Sequence, residues 1–324
     1  TTLITFAEKI SSFSSPLAVG MSGNFRQMKR RILNIAVFRK ETLYQKMRAL
    51  IIYLVISAVF IGCTPILSID ASTQNVYHFS DTDKNISLLD ISETFGTYDG
   101  SFVLYDNNLD SWKIYDLEEA TKRIPPESTY KIYDALLGLE SGIITPEHSS
   151  MTWNGDAFPF PSWEADQDLN SAMQNSVNWY FQAIDSQLGI NRVQEFLNKI
   201  EYGNQTTSSN LDLYWSDFSL KISPLEQVTL LKKFNTNEFH LNFQNVFSVK
   251  NAIKIASTPN GNFYGKTGTG RVNGQDINGW FIGYVETSDN SYYFATNIQS
   301  DSNATGKKAF EITSDILKKL HIWN

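Results

Sequence analysis

The chain has 324 residues, 42% hydrophobic and 13% aromatic, a composition that fits a folded protein with one sizeable core plus appendages and excludes a disordered chain. Its net charge of −7 is unevenly spread: residues 1–48 hold nine Lys/Arg against two Glu, for +7, while the rest holds 18 basic and 32 acidic groups, for −14. That acidic remainder argues against direct nucleic-acid binding; the lone Cys63 excludes an internal disulfide framework and any CxxC site, and His78, His148, His240 and His321 form no HxxxH pair, so no metal is expected in this chain.

The chain opens at Thr1 without a methionine or a secretory signal, and reads as a fragment or processed product whose N-terminal portion lies elsewhere. Residues 1–24 are apolar and then Ser/Gly-rich, like the severed end of a larger domain. From Phe25 to Arg48 the pattern is a basic amphipathic helix, with Phe25, Met28, Ile32 and Ile35 as its stripe. Such a helix suits an anionic leaflet, and it equally suits the solvated face of that larger domain. Ala49 to Ile69 carries no charged residue, and about 20 apolar residues span a bilayer core. Basic residues crowd its N-terminal flank, so the positive-inside rule places 1–48 in the cytoplasm and 70–324 outside the cell membrane.

Residues 70–95 are rich in Ser, Asp and Asn and read as a stalk. From residue 96 the chain reads as globular. Ser101–Tyr105 and Ser111–Tyr115, joined through Asp106-Asn107-Asn108, predict a hairpin. Helices are expected near 129–140, 169–188, 191–200 and 223–234, strands at 262–269, 277–287 and 291–299, and a closing helix at 304–320. Strands at both ends with helices between them predict an α+β domain, an antiparallel sheet shared by N- and C-terminal segments and flanked by helices.

Three short motifs carry chemistry. Ser128-Thr129-Tyr130-Lys131 follows Pro125-Pro126, and prolines suit a helix entry because their φ is pre-set. A serine there faces free N–H groups and the positive helix end, which favour a forming oxyanion. Lys131 shares a helix face with Ser128 and, if buried, loses its charge and can take the hydroxyl proton. Ser-x-x-Lys also arises by chance in a chain of this size. Ser176-Val177-Asn178 offers a second hydroxyl and an amide, although Ser and Asn equally cap helices. Lys266-Thr267-Gly268-Thr269-Gly270 puts a lysine and two threonines around glycines on a strand, a carboxylate-binding edge or simply a bulged strand end.

Together, in this order, the three motifs resemble the penicillin-recognising serine family, and within it class D β-lactamases. Tyr202-Gly203-Asn204, Tyr214-Trp215, Leu220-Lys221-Ile222-Ser223 and Phe158–Trp163 have counterparts in that class. With the apolar span and basic leader added, the chain resembles the C-terminal part of the BlaR/MecR family of β-lactam sensor-transducers in its staphylococcal form. The resemblance implies a penicillin-recognising fold over 96–324, a transmembrane helix at 49–69, a stalk at 70–95, and 1–48 as the trailing edge of a cytoplasmic zinc metalloprotease domain. This chain holds no His-Glu-x-x-His motif, so any zinc belongs to that domain.

Carried over by motif, Ser128 is the residue acylated by the antibiotic and Lys131 its general base, which in this family can take carbon dioxide as a carbamate contacted by Trp215. The N–H groups of Ser128 and Thr269 would form the oxyanion hole. Lys266, Thr267, Gly268 and Thr269 would bind the drug and its carboxylate, and Ser176 would relay a proton. Two departures stand out. Asn178 replaces the apolar residue usual in class D hydrolases, which would favour loss of carbon dioxide and a persistent acyl-enzyme. No arginine occurs in Gln299–Asn303, where class D enzymes often supply one. The expected partners are β-lactam antibiotics, the membrane, the protease portion and, downstream, a transcriptional repressor. The alternatives are a membrane-tethered class D β-lactamase, a peptidase acting on cell-wall stem peptides, and a binding module with inert motifs.

Overall fold

The computed structural model describes residues 75–323 other than 81, 83 and 209, together with Tyr44, Met47, Arg48 and Leu50. The amphipathic leader, the apolar run 49–69 and the first part of the stalk otherwise lie outside the described residues. Among the described residues no helix is long and apolar enough to cross a membrane. The described residues from 75 onward fall in one compact unit.

Seven strands are described: β1 (Asn85–Leu88), β2 (Asp99–Asp106), β3 (Ser111–Tyr115), β4 (Lys254–Thr258), β5 (Gly261–Val272), β6 (Gln275–Thr287) and β7 (Ser291–Gln299). They form one sheet in the order β1-β3-β2-β7-β6-β5-β4. The expected hairpin is β2–β3, and β2 also pairs with β7, so the two ends of the domain do share the sheet. The sheet is not wholly antiparallel, however. β1 runs parallel to β3 at one edge and lies ahead of residue 96, inside the stretch whose polarity reads as a stalk. An edge strand needs few apolar residues, since only one flank and one face are covered.

The sheet has an apolar residue at nearly every step because both faces are covered. On one face Val103, Tyr105, Trp280, Ile282, Tyr284, Tyr293 and Ala295 meet the main helical layer. That layer comprises α2 (Leu117–Thr121), α3 (Lys131–Glu140), α4 (Leu169–Gln174), α5 (Asn178–Leu188), α6 (Ile190–Ile200), α7 (Pro224–Asn235) and α8 (Phe243–Ala252). On the other face the alternating partners Phe102, Leu104, Phe281, Val285, Phe294 and Ile298 pack on α9 (Gly306–Lys319) and on the short α1 (Ser92–Phe95). The period of two along each strand thus assigns every other side chain to one of two cores.

Two helices depart from the sequence reading. The single helix expected over 169–188 is broken: α4 ends at Gln174 and α5 starts at Asn178, with Ser176 between them at φ 57°. A left-handed residue cannot continue a right-handed helix, and it turns the serine out of the helix line. Ser128 also precedes the α-helix proper, in a 3-10 turn over Glu127–Tyr130 that leads into α3.

Candidate active site

The turn that carries Ser128 is anchored on three sides. Trp280 Nε1 of β6 donates to the Pro125 carbonyl at 2.8 Å, and Asn278 Nδ2 donates to the same oxygen at 3.1 Å. The Glu127 N–H donates to the Trp215 carbonyl at 3.1 Å. Behind it, Gln227 of α7 donates to Thr129 Oγ1, which itself donates to the Pro126 carbonyl at 2.6 Å. Glu127 is held at φ 52°, a left-handed conformation unusual for a side chain of this bulk. Glu127, immediately before Ser128, and Ser176 are therefore both kept in conformations that the surrounding structure imposes.

Against this turn lies β5. A Cβ on Gly268 would sit 3.1 Å from the Pro126 oxygen and 3.2 Å from the Ser128 nitrogen, close enough to press the strand and the turn apart by a few tenths of an ångström. β4 pairs with β5 only as far as Tyr264. From Lys266 to Gly270 the outer edge of β5 has no strand neighbour among the described residues, and it offers backbone groups to an extended ligand. Ser128, Ser176, Asn178, Thr267, Gly268 and Thr269 line one cleft of about 350 Å³, with Phe160 and Trp163 at its wall.

Lys131, Lys266 and Trp215 lie beneath the cleft. Lys131 is 1% exposed, and its Nζ donates to Ser128 Oγ at 2.9 Å and to Asn178 Oδ1 at 2.7 Å. The amine sits 5.6 Å from the ring centres of both Phe181 and Trp215. Burial pushes its pKa down to about 8, with Asp134 and Glu127 pulling the other way. About a tenth of Lys131 is then a free amine at pH 7, against a far smaller share for an ordinary lysine, which brings it nearer to what a general base requires. Lys266 donates to Ser176 Oγ at 2.8 Å and to the Thr267 carbonyl at 2.9 Å. Burial, then the nearby Lys131, hold its pKa well below the usual lysine range.

The Lys266 amine is bonded to Ser176, which lines the cleft together with Thr267, Gly268 and Thr269. Thr269 Oγ1 accepts from the Gly306 N–H at 2.8 Å, tying the strand to the first turn of α9. Tyr202-Gly203-Asn204 proves architectural: Asn204 Nδ2 donates to the Ser219 carbonyl at 2.7 Å and Oδ1 accepts from Lys221 N–H at 2.9 Å, fixing the loop that presents Trp215.

Several residues escaped the sequence reading. Arg271, two positions beyond Thr269 on β5, lies on the cleft rim and is paired to Asp276 at 2.7 Å. Strand alternation from Thr267 would have placed it there. Glu127 is buried beside Gly270, and its pKa is pushed up to about 8 chiefly by desolvation. Asp134 and Asp185 are fully buried behind Lys131. Nothing in an acidic residue's sequence context announces that it points inward. Among the described residues no cluster of His, Cys, Asp and Glu has the make-up of a metal site.

A serine hydroxyl bonded to a buried lysine amine, beside a free strand edge, is an arrangement that fits a penicillin-recognising serine protein. The model of the penicillin binding protein transpeptidase domain matches residues 97–318. Regulatory protein BlaR1 of Bacillus licheniformis is 43% identical over 314 residues, 96% of this chain and 52% of that protein. The solved C-terminal domain of the B. licheniformis BlaR penicillin-receptor is 45% identical, with a TM-score of 0.73 over 75% of this chain and 99% of that one. Class D β-lactamase BAT-2 is 36% identical, with a TM-score of 0.69 over 73% and 97% of the two chains. The chain belongs to the penicillin-recognising serine family, in its BlaR/MecR sensor branch, and its sensor domain has the class D β-lactamase-like α+β fold. It spans about half the length of the curated relatives it matches.

Proposed function

We propose that this chain is the sensing half of a transmembrane β-lactam receptor. Its outer domain is acylated at Ser128 by penicillins and cephalosporins and remains acylated. The observation that carries this reading is the pair of bonds from Lys131, to the Ser128 hydroxyl on one side and the Asn178 amide on the other.

In the acylation step the free Lys131 amine takes the Ser128 proton as Oγ attacks the lactam carbonyl carbon. The oxyanion is met by the Ser128 and Thr269 N–H groups. The ring C–N bond then breaks, and the proton passes to the leaving nitrogen through Ser176, whose hydroxyl Lys266 holds in place. Thr267 and Thr269 receive the drug carboxylate. Deacylation needs an activated water, which in hydrolases of this class falls to a carbamate on the lysine. Asn178 occupies the Lys131 amine with a carbonyl acceptor, which favours the bare amine over the carbamate, so the ester persists. The signal then travels along 49–69 to a cytoplasmic zinc protease that leads to removal of a transcriptional repressor.

The likeness to BAT-2 favours a second reading, a membrane-tethered class D β-lactamase with the same acylation and rapid deacylation. Intact-mass measurement after one penicillin separates the readings. One adduct that persists, absent in Ser128→Ala, is expected. Sustained release of hydrolysed drug, increased by bicarbonate, would establish the hydrolase.

A further inference from the structure

We propose that Asp134 and Asp185 form a proton-sharing carboxyl pair that sets the protonation of Lys131 from one helical turn beneath it. Asp134 follows Lys131 by three residues on α3, and Asp185 follows Asn178 by seven on α5, so each lies on the same helix face as its partner. The two helices therefore carry two polar rungs. The upper rung is the Lys131–Asn178 hydrogen bond at 2.7 Å. The lower is the pair of carboxyls, both fully buried and close enough that each shifts the other's pKa, Asp185 raising that of Asp134 and Asp134 lowering that of Asp185.

None of the four carboxylate oxygens has a hydrogen-bond donor among the described residues, and the hydroxyls of Tyr130, Tyr133, Tyr202 and Tyr214 in the same core are likewise unpartnered. Two bare carboxylates side by side in an apolar core cannot both stay ionised. One retained proton resolves this, because one carboxyl then donates to the other. Burial raises the pKa of both groups; Asp185 raises that of Asp134 further, while the neighbouring Tyr214 and Asp134 lower that of Asp185, in keeping with a proton that Asp134 carries and shares with Asp185.

Of the other titratable groups facing Lys131, Glu127 adds to the pull of Asp134. Burial raises the pKa of Glu127 to about 8, so it keeps most of its proton at pH 7, and burial and then Lys131 lower the pKa of Lys266 on β5. The Tyr130 and Tyr214 hydroxyls beside the pair are pushed far from ionisation. Two protons are thus distributed over Lys131, Asp134 and Asp185. The cluster is neutral as an ammonium with one carboxylate and one carboxyl, and equally neutral as an amine with two carboxyls. Lys131 can lose and regain its proton without leaving net charge in a sealed site, where an unpaired charge is costly. Asp134 and Asp185 are positioning residues, since they act through Lys131 and touch no reacting atom. Their consequence for acylation rests on the function proposed above; their effect on Lys131 does not.

The test follows the Lys131 resonance in the full chain in detergent micelles, labelled with [ε-13C]lysine and assigned by its loss in Lys131→Arg. Asp134→Asn, and more strongly Asp134→Asn with Asp185→Asn, should lower the Lys131 midpoint by about one pH unit, tenfold in the proton equilibrium, because burial remains and the counter-charge is gone. The acid limb of Ser128 acylation, followed by quenched-flow mass measurement, should move by the same amount. An unchanged midpoint in both folded variants would overturn the pair. If the variants do not fold, infrared spectra of the unaltered chain labelled with [γ-13C]aspartate decide: a buried protonated carboxyl band at pH 7 is expected, and its absence overturns the proposal. A midpoint that moves while no β-lactam ever labels Ser128 would uphold the pair and refute the acylation reading.

Discussion

A lysine amine serves as a base only while it lacks its proton, and Lys131 meets that condition through burial rather than through a cationic neighbour. In the receptor reading proposed above, Asn178 is the neighbour expected to separate a lasting ester from a transient one. Replacing its carbonyl with a methyl pair frees the amine for carbon dioxide and leaves the carbamate unopposed. Asn178→Val should therefore shorten the acyl lifetime at least tenfold in bicarbonate buffer, measured by intact mass; an unaltered lifetime would remove Asn178 from the account. Glu127 gives a second residue-level expectation. Its pKa is raised from 4.5 to about 8 in the folded chain, so between those values the folded state holds a proton that the unfolded state has released. Its contribution to stability is present below pH 4.5 and is lost as pH rises towards 8. Glu127→Gln cannot lose that proton, so its Tm relative to wild type should rise steadily from pH 5 to pH 8. A constant Tm difference across that range would contradict the buried, protonated carboxyl.

At the scale of elements, the site is where the 3-10 turn at Glu127–Tyr130, the break between α4 and α5, and the edge of β5 converge. The two glycines of Lys266–Gly270 exist for that convergence, because a Cβ on Gly270 would collide with the Glu127 carboxyl and one on Gly268 would press on the turn itself. Gly270→Ala should cost about 1–3 kcal/mol by overpacking and slow acylation. Adding Glu127→Ala should restore part of both, and strictly additive losses in urea unfolding would show that the two do not touch. The convergence was partly legible beforehand. Ser128, Lys131, Ser176 and Lys266 announce themselves by spacing, and β5 to β7 by alternation. The break at Ser176 was invisible because apolar period and propensity continue across it, and a left-handed residue is imposed by tertiary contacts. β1 was hidden by polarity, which an edge strand tolerates. The short helices α1 and α2 and the segment from α8 into β4 lack a pattern long enough to read. Asp134 and Asp185 looked like ordinary polar positions on helices, and only the packing of α3 on α5 turns them inward.

For the molecule as a whole, acylation has to persist if binding is to become a signal. A hydrolase and a sensor of this family share the nucleophile, the base and the strand edge; they differ in what surrounds the lysine nitrogen. In this chain those surroundings are an amide carbonyl above and two buried carboxyls below. In the receptor reading proposed above, the amide carbonyl disfavours the negative charge that a carbamate would bring, and the ester is expected to persist through groups of the folded unit. The most direct measurement is the lifetime of the Ser128 ester. The chain is saturated with one penicillin, freed of excess drug and followed by intact mass over hours. The expected result is a single adduct that stays on the protein for hours. A return to the unmodified mass within seconds, with hydrolysed penicillin accumulating in solution, would contradict it.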